Sequence, residues 1–170
     1  MRKFYSGMTR TSEQIAKLVR WIVLLLIISI CYDVFARYLF NAPTIWSYSL
    51  SYMLGAVFSA LGLAYVYSIG GNVRVDVLYI RFPPKLKLIL DLFFTIIFFF
   101  PVYCFLAYYF GKNTWNAWVI KEYDINSIWY PVIWPYMTVV TIGFVLLIVQ
   151  GIVTFIRDVR TLAKGGEEPW

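Results

Sequence analysis

The chain has 170 residues, 61% of them hydrophobic, with a formal charge of +6, two cysteines and no histidine. Soluble domains are roughly 45–50% apolar, and a chain this short cannot hide four apolar runs of about 20 residues from water, so a soluble globular protein is excluded. Without histidine, and with Cys31 and Cys104 reading as small buried hydrophobes inside apolar runs, most zinc, haem and Cys–His nucleophile designs fall away. So few embedded charges argue against an enzyme.

The N-terminal segment carries Arg2, Lys3, Arg10, Lys17 and Arg20 ahead of an apolar run from Trp21 to Ile30. A cleavable signal peptide would need a small-x-small site next; the chain instead continues CYDVFARYLF, so this is read as a retained first span, about 15–40. Thr11 or Ser12 with Glu13 and Gln14 supplies a helix start. Within the span, Asp33 and Arg37 stand four apart with the acid on the N-terminal side, the favourable order for a helical ion pair. A charge at mid-membrane is costly and usually functional. One self-compensated pair near the outer turn makes a poor proton or ion relay, so the two are assigned to a structural or partner-interface role.

A second span is predicted over 45–69, with no charge from Ile45 to Ile69 and with Ser51, Gly55, Ser59 and Gly62 on one helical face. Such a stripe lets another helix approach closely in lipid. Next, VRVDV (Val73–Val77) alternates like a strand, but a lone strand cannot satisfy its backbone at a membrane surface. As a helix over about 72–83 it places Val73, Val77, Leu78 and Ile80 on one side and Arg74, Asp76 and Arg81 towards water. That pattern predicts a short interfacial helix, ended by Pro83 and Pro84. The third span, about 88–110, contains Pro101, a predicted kink, and a lipid-facing run FFTIIFFF. The fourth, about 129–156, holds Gln150 and Gly151 near its inner end.

Twelve of the fifteen basic residues fall in the N-terminal segment, the second connection (Arg74, Arg81, Lys85, Lys87) and the C-terminal tail (Arg157, Arg160, Lys164). Arg37, Lys112 and Lys121 are the remaining three. The positive-inside rule then places both termini in the cytoplasm, and Trp46, Trp115, Trp118, Trp129 and Trp134 form an outer aromatic belt. Basic residues clustered beside spans point to lipid headgroups as partners, not to nucleic acid. The expected fold is an all-α integral membrane protein: one membrane domain over 1–170, with four transmembrane helices and the interfacial helix.

RYLFNAPTIW (Arg37–Trp46) followed by GLAYVYSIGGNVRVDVLY (Gly62–Tyr79) resembles the small membrane subunit, the DctQ family, of tripartite ATP-independent periplasmic (TRAP) transporters. The similarity extends over nearly the whole chain. One departure stands out: members commonly carry one or two glutamates just after the tryptophan that opens the second helix, where this chain has Ser47, Tyr48 and Ser49.

The resemblance implies a scaffold for a large, DctM-like elevator subunit that moves organic acids with sodium ions, fed by a periplasmic binding protein in a bacterial or archaeal inner membrane. No cofactor is expected in this chain; sodium is expected in the large partner. Partner-interface candidates are Asp33, Arg37, Trp46, Gly55, Ser59 and Gly62. Binding-protein docking candidates are Lys112, Lys121, Glu122 and Asp124, on an outer connection over 112–126. Two other readings stay open: a membrane anchor of a respiratory complex, and a small homo-oligomeric exporter.

Overall fold

The computed structural model describes residues 2–69, 71 and 82–163. Its helices are α1 (Arg2–Phe40), α2 (Ser47–Ser68), α3 (Pro84–Phe94), α4 (Phe100–Ile120) and α5 (Trp134–Ala163), with a π-helical turn, Thr95–Phe99, joining α3 to α4. Four segments are long and apolar enough to cross a bilayer: Val19–Phe40, Ser47–Ser68, Lys85–Ile120 and Trp134–Ala163. Among the described residues there is no strand, and one isolated antiparallel bridge joins Tyr123 to Val132. The interfacial helix expected over 72–83, with Arg74, Asp76 and Arg81, lies outside the described residues except for Phe82 and Pro83; Pro83 is extended, and Pro84 opens α3 at a position where its missing N–H costs nothing.

Two boundaries differ from the sequence expectation. The third helix does not stop near Phe110 but runs on to Ile120, because Gly111 and Asn113 are too isolated to break a helix whose next turns are apolar and aromatic. The end comes at Lys121, which adopts left-handed geometry (φ 49°) while the Glu122 N–H bonds the Ala117 carbonyl at 3.1 Å, a Schellman-type stop. The fourth helix begins at Trp134, so Trp129 belongs to the preceding loop.

The irregularity expected at Pro101 takes a particular form. Proline cannot donate to the carbonyl one turn earlier, and the chain answers just before it with the π turn, where one extra residue is wound in and the helix continues. The Thr95 hydroxyl donates to the Asp91 carbonyl at 2.6 Å. Phe93, Phe94, Ile96, Ile97 and Phe98 point outward, whereas Phe99 turns inward against Tyr67 and Tyr103.

Packing follows a row: α1 on α2, α2 on α5, and α5 on α4. At its centre lie Val19, Val57, Ala60, Leu61 and Val140. Lipid tails are as apolar as leucine, so close approach and not hydrophobicity holds helices together in a membrane. The backbones of α2 and α5 come close together: a Cβ added to Gly143 would stand 2.9 Å from both the Cβ and the carbonyl carbon of Ala60. Just over two turns along α5, Gly151 lies against the ring of Phe99. Cys31 and Cys104 are both exposed on the bundle surface, which corrects the reading of them as buried hydrophobes.

Candidate partner interface

Where α1 turns into α2, Asp33 does more than pair with Arg37. Arg37 Nη2 donates to Asp33 Oδ2 at 2.8 Å, but Asp33 Oδ1 accepts from the Thr44 backbone N–H at 3.1 Å and also from the Thr44 hydroxyl. The carboxylate therefore clasps the turn between α1 and α2. That turn begins where Asn41 leaves the helix in left-handed geometry (φ 51°). Arg37 remains 58% exposed against 16% for Asp33, so the guanidinium is the half of the pair available to a neighbour. Thr44 was not identified from sequence; its only signal was a hydroxyl residue after Pro43 in the turn.

Serines carry the next layer. Ser47 donates to the Ser29 carbonyl at 3.1 Å and lies 3.3 Å from its hydroxyl. Ser49 shares a 2.6 Å hydrogen bond with Ser127 of the loop before α5. Two of the three residues standing where glutamates are common are thus tied within the chain, while Tyr48 is 84% exposed. Trp46 stacks on Tyr32, with ring centroids 5.7 Å apart, so it too is engaged internally.

The α2 stripe divides. Gly55 meets Leu26 at ordinary contact distance, while a Cβ at Gly62 would meet nothing within 4 Å, and Ser59 is exposed. Tyr48, Ser59, Leu63 and Val66 are exposed on α2, whereas Tyr52 packs edge-on against Tyr136 of α5, ring centroids 6.4 Å apart. The tight internal seam uses Ala60 and Ala64 on the opposite side of α2, and Gly143 on α5.

The loop between α4 and α5 is held closed. Asp124 N–H bonds the Pro131 carbonyl at 2.9 Å, Ile133 N–H bonds the Glu122 carbonyl at 3.1 Å, and Asp124 Oδ1 accepts from the Asn126 N–H at 3.0 Å. Lys121 and Glu122 are exposed at its rim, beside exposed Ile125 and Ile128. Lys112 is not part of this loop; it sits on α4, more than two turns below. Between α4 and α5, Thr114 bonds Thr141 at 2.8 Å and Trp118 Nε1 donates to the Thr138 hydroxyl at 2.9 Å. Trp115, Trp118 and Val119 line an open groove of about 440 Å³ there. Among the described residues, no group of three or more metal-ligating side chains comes together. Gln150, only 1% exposed, finds no hydrogen-bond partner for its amide among them.

Four apolar membrane-length helices and a closed loop before α5 define a multi-pass helical membrane protein. Residues 26–161 match the sequence model of the DctQ component of tripartite ATP-independent periplasmic transporters, and the chain belongs to that family. No curated protein and no solved structure matches it. A transporter component, it is not an enzyme, and membership sets aside the respiratory-anchor and exporter readings. The family brings a DctM-like large subunit and a periplasmic binding protein as partners.

Proposed function

We propose that this chain is the scaffold subunit of a sodium-driven, binding-protein-dependent TRAP transporter for organic acids, with the substrate and sodium sites in the large subunit. The observation that carries this reading is the uncovered face of α2. A helix surface with exposed Ser59 and open space over Gly62 accepts a second helix at close range, and the described helices leave it vacant. The large subunit's static helices would pack there, with Arg37 at the outer rim of the contact, giving the mobile part a rigid body to move against.

In this reading both termini and the second connection face the cytoplasm, in accord with twelve basic residues on that side against three on the other. The membrane is a bacterial or archaeal inner membrane. Lys121, Glu122 and Asp124 face the periplasm, where the binding protein docks.

The test is uptake in proteoliposomes. The large subunit with wild-type chain should transport; without this chain, or with Gly62→Leu, transport and co-purification should be lost while the variant chain itself stays folded. Normal uptake by the large subunit without it would refute the scaffold role. Charge reversal at Lys121 and Glu122 should weaken coupling to the binding protein; unchanged transport would remove that loop from the docking site.

A further inference from the structure

The charge-free lengths of the two outermost helices do not lie side by side. On α3–α4 the stretch between Asp91 and Lys112 carries no charge; at about 1.5 Å per residue it is about 30 Å long, one hydrocarbon core. On α1 the last charges before the apolar run are Lys17 and Arg20, and the next is Asp33. Arg20 and Lys112 are both exposed, and neither makes an ion pair among the described residues.

Packing sets these two cations at the same height. Val19, beside Arg20, clusters with Ala60 and Val140. Gly143 presses on Ala60, and Thr114, two residues after Lys112 on α4, bonds Thr141. Both cations therefore sit level with the middle turns of α2, at opposite edges of the row. Yet four passes put the N-terminal end of the first span and the C-terminal end of the third on opposite sides of the membrane. In an upright bundle both would lie deep in hydrocarbon, where a lone cation is costly.

We propose that the helix row lies obliquely in the bilayer, inclined within its own plane by roughly 40°, near the upper end of observed helix tilts. Arg20 and Lys17 then meet lipid headgroups on one side at the α1 edge, and Lys112 meets headgroups on the other side at the α4 edge. Neighbouring helix axes are 8–10 Å apart, so α1 and α4 are separated by about 27 Å, and this inclination raises one edge over the other by about 17 Å. Snorkelling lysine and arginine side chains supply the rest of the core thickness. The same inclination brings Asp33 and Arg37 to the layer that Lys112 reaches, and Asp91 and Lys87 to the layer that Arg20 reaches. The partner at both edges is the phosphate layer of the bilayer itself.

The two native cysteines test this. Cys31 lies beside Tyr32, which stacks on Trp46 at the outer end of α2. Cys104 follows Tyr103, which packs on Phe99 and through it on Tyr67 at the inner end. Along the bundle the cysteines are about 25 Å apart. The full chain in nanodiscs of phosphatidylethanolamine and phosphatidylglycerol is spin-labelled at one cysteine at a time, in Cys31→Ser and Cys104→Ser backgrounds. Label depth is read from relaxation by oxygen against a nickel chelate. An oblique row places both labels near the middle of the hydrocarbon, within about 5 Å of each other in depth, since along-axis and lateral offsets cancel. Labels near opposite headgroup layers, more than about 15 Å apart in depth, overturn the proposal. Polarised infrared dichroism of the amide bands is the second reading: a mean helix inclination near 40° supports it, and one below about 20° refutes it.

Discussion

Replacing Gly143 by alanine should open the α2–α5 seam. The added Cβ would stand 2.9 Å from two carbon atoms of Ala60, one of them backbone, where carbon pairs settle at about 3.5–4.0 Å. Backbone cannot rotate away, so the helices must separate by about 0.6–1 Å, a gap that forfeits a quarter to a half of each contact's dispersion energy. The contacts at stake are those of Val57, Ala60, Leu61, Ala64, Val140 and Leu147, all buried. Overpacking of this kind typically costs about 1–3 kcal/mol. Alanine's better helix propensity returns up to about 1 kcal/mol, leaving a net loss of about 1–2 kcal/mol. Reversible unfolding of the full chain in bicelles, by steric trapping or detergent titration, would measure it. Ala60→Gly in the same chain should recover only part of the loss, because it removes the Cβ contact and leaves the backbone one. Gly62→Ala is the internal control: its Cβ meets open space, so stability should hold or rise. If Gly143→Ala were as stable as wild type, the seam would not be where the packing places it.

Gln150→Leu should be neutral or stabilising by about 1 kcal/mol in the same assay, since it removes a buried amide with no partner among the described residues and keeps the volume; a loss above 2 kcal/mol would mean that the amide is bonded in the membrane. Ser49→Ala and Ser127→Ala should each cost about 1 kcal/mol, and the double variant little more than either. Full additivity would show that the 2.6 Å contact is not a coupled pair. Asp33→Ala should speed amide hydrogen exchange at Thr44 and loosen the α1–α2 turn, whereas Arg37→Ala, which leaves the Thr44 bonds intact, should disturb the turn less. Equal effects would contradict the clasp.

The four spans, the Asp33–Arg37 pair and the family were legible in the residues, because each depends on one segment against its solvent or on a local spacing. A charge-free run of about 20 residues has to be a helix in lipid whatever surrounds it, and residues four apart meet on any helix. Which residues serve the chain and which face away was decided only by the tertiary structure. The stripe at Gly55, Ser59 and Gly62 carried the obvious packing pattern, yet the tight seam is Ala60 on Gly143, with Gly62 left open. Asp33 holds Thr44 as well as Arg37, and Lys112 is carried into α4 because nothing between Phe110 and Ile120 stops the helix. Periodicity shows that a face exists but not what lies opposite it. That depends on the relative height and rotation of two helices, and a single helix holds no record of either.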